Sequence, residues 1–182
     1  MLNLPNLITI ARILLVPVMV WAIAAHEMKF AFVLFLIAGL SDAVDGFLAK
    51  RFNMTSELGA YLDPIADKVL IVSIYVALGI TEAIPRWLVI LVVSRDLLIV
   101  GGITLPWILG NPITVKPLLV SKLNTVAQIL FAGLVLAAAA FQFDAGAAQQ
   151  VLMACVALLT LLSVGFYLRN WVRHMGMAGT VE

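Results

Sequence analysis

Four aspartates fall within one short segment, Ser41 to Lys68, of a chain that is almost wholly apolar on either side of it. Asp42, Asp45, Gly46 and Ala49 stand at i, i+3, i+4 and i+7, one face of a helix. Gly59, Asp63 and Asp67 stand at i, i+4 and i+8, again one face. The polar run "RFNMTSE" between them is short, so the two helices are expected to be antiparallel neighbours with four carboxylates converging between them. Converging carboxylates in a low dielectric must be protonated, paired or metal-bound, and the segment has too few cations to pair all four. An all-oxygen set suits Mg²⁺, Mn²⁺ or Ca²⁺ rather than zinc. Two such ions about 3.5–4 Å apart are the usual device for moving a phosphoryl group. Gly46, Ala49 and Gly59 share these faces. They either leave room for a flat or bulky ligand against the backbone or let the helices pack closely.

The elements that must position these residues are long apolar runs. The 182 residues are 64% hydrophobic and 12% charged, with a mean hydropathy of +1.13, whereas a soluble domain is about half apolar and a quarter charged. A spanning helix needs about 20 mostly apolar residues. Six stretches qualify, at about 6–25, 29–49, 59–80, 85–108, 121–141 and 147–170. The breaks between them ("HEMK", "KRFNMTSE", "TEAIP", "GNPITVKP", "QFDAG") are too short for any other domain. The expectation is an all-α, polytopic membrane protein: one domain, residues 1–182, built as a bundle of about six transmembrane helices.

Lysines and arginines set the orientation. Arg12, Lys50, Arg51, Lys116, Lys122, Arg169 and Arg173 flank one side, against Lys29 and Arg86 on the other, seven to two. Both termini and the acidic segment are therefore expected on the cytoplasmic side. A cleaved leader is not expected, because the first eleven residues carry no Lys or Arg and Arg12 interrupts the apolar run. A net charge of +1 gives no polybasic tail, so no nucleic-acid partner is expected. Cys155 is expected to be a small buried hydrophobe, and lone His26 to contact headgroups.

The acidic segment resembles the signature of the CDP-alcohol phosphotransferases (CDP-alcohol phosphatidyltransferases): Asp-x2-Asp-Gly-x2-Ala-Arg, eight or nine residues, then Gly-x3-Asp-x3-Asp. Asp42, Asp45, Gly46, Ala49, Gly59, Asp63 and Asp67 match it, and Lys50 stands where the family has Arg. The opening "LNLPNLITIARILLVPV" is similar to that of the phosphatidylglycerophosphate synthases and the eukaryotic-type cardiolipin synthases, the two branches the chain most resembles. Later elements, "VSRDLLIV" and "KPLLVSKLNTVAQ", also fit.

The resemblance implies an enzyme that transfers the substituted phosphate of a CDP-linked donor, here CDP-diacylglycerol, to an alcohol and releases CMP. It implies that Asp42, Asp45 and Asp63 ligate divalent metal, Mg²⁺ or Mn²⁺, as two ions. Asp67 would lie at the same site and act as the base for the acceptor hydroxyl. Asp42, Asp45, Gly46, Ala49, Lys50 and Gly59 would hold the CDP donor. It further implies a homodimer in the lipid bilayer, and the expected location is a bacterial cell (inner) membrane.

The remaining buried charges bear on the acceptor. Arg95 and Asp96 lie in the middle of the fourth run, Lys122 opens the fifth, and Arg12 lies in the N-terminal motif. Arg95, Lys122 and Arg12 are candidate acceptor or phosphate ligands. Arg95 and Asp96 are not expected to pair with each other, because adjacent residues point apart on a helix. Synthases that use glycerol 3-phosphate typically carry a second basic residue after the Arg of the fourth span, which "SRDLLIVGGITLP" lacks. Phosphatidylglycerol, giving cardiolipin, is therefore the expected acceptor and glycerol 3-phosphate the alternative. A transporter with a buried carboxylate site is the reading from a different class.

Overall fold

A computed structural model describes the backbone of residues 4–52, 57–108 and 119–178 and the side chains of residues 8–42, 44, 66–101 and 119–169. Among the described residues there is no strand, and six helices follow in order: α1 (Leu4–Ala24), α2 (Met28–Phe52), α3 (Glu57–Ile80), α4 (Arg86–Ile108), α5 (Leu119–Phe141) and α6 (Gly146–Ala178). Each expected apolar run is one helix. The ends differ, since α2 continues to Phe52 and α6 to Ala178, beyond the expected 49 and 170. Hydropathy marks where an apolar stretch stops. A helix stops only where its hydrogen-bond ladder is broken or capped, and Lys50, Arg51 and Arg169 do neither.

Two helical segments are long and apolar enough to cross a membrane, Leu119–Phe141 and Gly146–Arg169, and a shorter apolar stretch covers Ile8–Ala24. The distribution of side chains points the same way. Leu14, Ile80, Leu97, Leu119 and Leu158 are exposed, while Arg12, Arg95, Asp96, Asn124 and Gln128 are buried. Apolar groups outside and polar groups inside is the arrangement expected when the solvent is lipid, because only the interior offers polar groups a partner. The chain has the build of an integral membrane protein.

The described residues fall into two compact units: residues 1–86 with 132–146, and residues 87–131 with 147–182. In the first, α1 packs against both α2 and α3. The buried stripe on α1 is Thr9, Arg12, Val16, Met19 and Ile23, at helical spacing. The two helices it packs against bury small residues, Ala31 and Ala38 on α2 and Ala66 and Ala77 on α3, of the kind that let backbones approach. The end of α5 closes on α2 through aromatic rings. Phe32 and Phe141 stand edge to face with centroids 5.6 Å apart. The Phe35 ring lies where Gly133 has no side chain, 3.0 Å from a built Cβ.

α1, α3 and α5 end alike, on residues the sequence does not flag. His26, Glu82 and Gln142 have φ of 60°, 59° and 55°, the left-handed region. In each case the next residue's N–H returns to a carbonyl five residues back: Glu27 to Ala22 at 2.9 Å, Ala83 to Leu78 at 2.9 Å, Phe143 to Ala138 at 3.2 Å. This is the Schellman closure, normally built on glycine because a Cβ is unfavourable there. The expected headgroup residue His26 thus also has a structural task, ending α1. Cys155 corrects an expectation, being exposed rather than buried. On an apolar helix facing lipid, a thiol is as much at home outside as inside.

Gln142 is exposed and no side-chain bond of it enters the closure. Gln142→Gly is expected to stabilise the protein by about 0.5–1 kcal/mol, relief of the left-handed strain outweighing the extra freedom of the unfolded chain. Gln142→Val should destabilise it. Thermal unfolding of the purified protein in one detergent reads both, and a drop in Tm for the glycine variant would contradict this account of the cap.

Candidate active site

α1 carries Arg12 into the first unit, one turn after Thr9 on the same face, and both are buried. Its Nη1 donates to Oδ1 of Asp42 on α2 at 2.6 Å and to Oδ1 of Asp67 on α3 at 2.5 Å. Three helices therefore meet at one nitrogen. The guanidinium is 1% exposed, whereas the two carboxylates are 49% and 42% exposed. The cation is the floor of the cluster and the anions face outward. For Asp42 and Asp67 the arginine offsets the like-charge repulsion, because a cation desolvated among carboxylates is stabilised by them and in turn lets them approach.

Of the four signature aspartates, the structure thus brings Asp42 and Asp67 together and adds Arg12. The side chains of Asp45, Gly46, Ala49, Lys50, Gly59 and Asp63 lie outside the described residues. Their backbones continue the helices already counted, with Asp45, Gly46, Ala49 and Lys50 on α2 and Gly59 and Asp63 on α3. Among the described residues no group of three or more potential metal ligands forms. The donor chemistry fits a hard divalent cation: the described acidic groups that converge are two carboxylate oxygens, of Asp42 and Asp67.

The second unit holds another buried arginine, and its surroundings correct an expectation. Arg95 does pair with its neighbour: Nη1 donates to Asp96 Oδ1 at 2.5 Å, both side chains being buried. Adjacent Cβ atoms do point apart, but the Arg side chain is long enough to fold back. In the absence of water the attraction is strong enough to make it do so. Nε and Nη2 of Arg95 also donate to Ser163 Oγ on α6, at 3.1 and 3.0 Å, and Nη2 to Ser121 Oγ on α5. Below this, Thr160 on α6 donates to Asn124 Oδ1 on α5 at 3.0 Å.

Sequence reasoning missed Ser121, Asn124, Thr160 and Ser163. The signal was there: Ser121, Asn124 and Gln128 at i, i+3 and i+7 in an apolar helix, and Thr160 and Ser163 at i and i+3 in another. Lys122 stands off the stripe formed by Ser121, Asn124 and Gln128 and is exposed.

An all-helical, membrane-type chain in which aspartates of two successive helices meet one buried arginine is the frame of the candidate site. The comparison with known proteins narrows it. Residues 2–162 match the CDP-alcohol phosphatidyltransferase family, and the chain belongs to that family. It is 35% identical over 185 residues to the cardiolipin synthase (CMP-forming) of Rattus norvegicus, covering 91% of this chain and 60% of that protein. It is 40% identical over 146 residues to the chloroplastic CDP-diacylglycerol–glycerol-3-phosphate 3-phosphatidyltransferase 1 of Oryza sativa subsp. japonica, covering 71% of this chain and 44% of that one. A fusion of cardiolipin synthase (CMP-forming) with a mitochondrial hydrolase in Schizosaccharomyces pombe is 34% identical over 191 residues, 96% of this chain and 32% of the fusion. The chain therefore spans at most about three fifths of these relatives' lengths.

Arg12 and Asp67 should be energetically coupled. In a double-mutant cycle with Arg12→Gln and Asp67→Asn, the pair is expected to show an interaction energy of roughly 0.5–3 kcal/mol in chemical unfolding. Strict additivity would mean that the contact contributes nothing to holding α1 on α3.

Proposed function

We propose that this protein transfers the phosphatidyl group of CDP-diacylglycerol to a glycerol-type alcohol and releases CMP. The observation that carries the reading is the coincidence of the family match over residues 2–162 with two of its signature aspartates meeting in space. In this reading Asp42, Asp45 and Asp63, with Asp67 beside them, hold divalent metal, Mg²⁺ or Mn²⁺ as two ions. Bound metal would neutralise the donor's diphosphate and make CMP a better leaving group.

The protein's own part is as follows. Asp67 accepts the proton of the acceptor hydroxyl as its oxygen attacks phosphorus and the bond to CMP breaks. Gly46, Ala49 and Gly59 make room for the cytidine, and Lys50 offers a point charge to the donor. Arg12, fixed between Asp42 and Asp67, limits how far the two carboxylates can separate. The family match favours transfer over transport of a solute, and a transporter would turn over without CMP release.

The acceptor is proposed to be phosphatidylglycerol, and the product cardiolipin. Of the two arginines on α4, Arg86 is exposed at its first residue and paired with Glu82, and Arg95 is already neutralised by Asp96. A pocket so poor in free positive charge suits the single negative charge of a phosphodiester better than a phosphomonoester. Glycerol 3-phosphate remains the second reading, favoured by the likeness to the rice protein, whose name specifies that acceptor. The proposed setting is a bacterial cell membrane, with one domain of six spanning helices acting as a homodimer. Both termini would be cytoplasmic, on the side richer in Lys and Arg.

Purified protein given CDP-diacylglycerol and Mn²⁺ or Mg²⁺, with each acceptor supplied separately, tests the choice. Cardiolipin and CMP are the expected products, with phosphatidylglycerol preferred. Formation of phosphatidylglycerophosphate without cardiolipin would exchange the acceptor and leave the aspartate chemistry intact.

The aspartates separate by role. Asp42→Asn, Asp45→Asn and Asp63→Asn should each abolish transfer, since each removes a hard anionic ligand. Asp67→Asn should lose about 10²–10⁴-fold in kcat while still binding donor, as loss of a general base requires. Failure of that variant to bind CDP-diacylglycerol would make Asp67 a metal ligand first.

A further inference from the structure

Arg95 is held at all three of its nitrogens, and the holders are not equivalent. A guanidinium has two hydrogen-bonding edges, the side edge formed by Nε and one terminal nitrogen and the end edge formed by the two terminal nitrogens, with five N–H groups in fixed directions. Ser163 Oγ accepts from both Nε and Nη2 and so takes the side edge. Asp96 Oδ1 accepts a hydrogen bond from Nη1 and Ser121 Oγ one from Nη2. Ser163 is fully buried, and among the described residues of α6 it is the one that bonds this guanidinium. Ser121 is half-buried at the start of α5, next to exposed Leu119 and Lys122. On the end edge, Nη1 is held by the Asp96 carboxylate and Nη2 by a neutral hydroxyl at the half-buried start of α5, so the exchangeable contact is the one on Nη2.

We infer that Ser163 is a positioning residue: by occupying the Nε edge of Arg95 it aims the terminal edge at the α5 start, where an anionic phosphate oxygen of a substrate takes the place of the Ser121 hydroxyl. This rests on the reading that Arg95 is a phosphate ligand. The exchange is favourable because a hydrogen bond from guanidinium to an anionic oxygen is stronger than one to a neutral hydroxyl. The orientation matters because an Arg side chain rotates freely about several bonds, and fixing it beforehand removes that entropy from the binding step. Asp96 balances the charge, Ser163 sets the angle, and Ser121 keeps the terminal nitrogen satisfied until substrate arrives.

The test uses the full chain in lipid–detergent micelles. KM for acceptor and KM for donor are measured separately for the wild type, Ser163→Ala, Ser163→Thr, Arg95→Ala and the Arg95→Ala/Ser163→Ala double variant, with Tm recorded for each. The acceptor is whichever of phosphatidylglycerol and glycerol 3-phosphate the protein uses, since both present a phosphate oxygen. Ser163→Ala is expected to raise acceptor KM about tenfold, the worth of one well-placed hydrogen bond to a charged group, and to leave donor KM unchanged. Ser163→Thr, which restores the hydroxyl, should recover most of that loss. In the Arg95→Ala background, Ser163→Ala should add nothing.

A serine that merely packs α6 would lower Tm, affect both substrates alike and remain additive with Arg95→Ala, and that pattern would overturn the proposal. If Arg95→Ala raises acceptor KM but Ser163→Ala does not, the positioning role fails while Arg95 remains a phosphate ligand. If Arg95→Ala leaves acceptor KM unmoved, the phosphate reading and this inference fall together. Should Ser163→Ala not yield folded protein, Ser163→Cys carries the same test, having nearly the same shape and a poor acceptor.

Discussion

An ionised guanidinium buried in an apolar medium costs several kcal/mol unless anions and oxygen acceptors surround it. Among the described residues two such groups are buried, one in each compact unit. Arg12 gathers its partners from elsewhere in the chain, across 30 and 55 residues, so the register of α1 against α2 and α3 cannot slip without stranding a charge. Arg95 is neutralised by its sequence neighbour, and the hydroxyls that complete its shell come from α5 and α6. The apolar stripes that pack the helices would tolerate several rotations, as large apolar side chains cover the outer faces too. Lipid does not penalise those alternatives, so polar contacts select among them.

The two arginines differ in what surrounds them, and the difference separates their chemistry. The partners of Arg12 are half-exposed carboxylates, a cluster that remains accessible to charged ligands. Those of Arg95 are a buried carboxylate and two hydroxyls, a shell with almost no net charge to offer. A site handling a diphosphate needs the first kind of environment, where anions can be matched by added cations. A site that only has to recognise one phosphodiester can be of the second kind, in which discrimination comes from geometry and from the cost of leaving a buried donor unpaired.

The helices were legible because a run of twenty apolar residues has few alternatives, and among the described connections the polar interruptions at His26–Glu27, Thr81–Pro85 and Gln142–Ala145 separate them. The ends of the helices were less so. The left-handed closures at His26, Glu82 and Gln142 carry no glycine, and their backbone bonds leave no trace in composition. Asp42 and Asp67 were legible from spacing, and Arg12 from its motif, although spacing alone could not say that one nitrogen would serve both acids. The Arg95–Asp96 pair was misjudged because a rule about Cβ directions was applied to a side chain long enough to evade it. Ser121 and Ser163 passed unnoticed for another reason. Small hydroxyl residues are ordinary in membrane helices, and only a buried charge beside them shows what they accept.

Both fully buried cations among the described residues are arginines, while Lys29 and Lys122 are exposed. The division follows from the side chains. A lysine at position 12 would present a compact, strongly hydrated charge that sheds its proton readily when desolvated, whereas the guanidinium stays ionised and divides its donors among fixed directions. Arg95 uses that property fully, bonding through all three nitrogens. Against that pattern, Lys50 at the one signature position where the family carries Arg is informative. Lysine at position 50 keeps the positive charge of that signature position and gives up the planar fork that Arg95 uses on all three nitrogens, so the substitution preserves a point charge and not a fixed geometry.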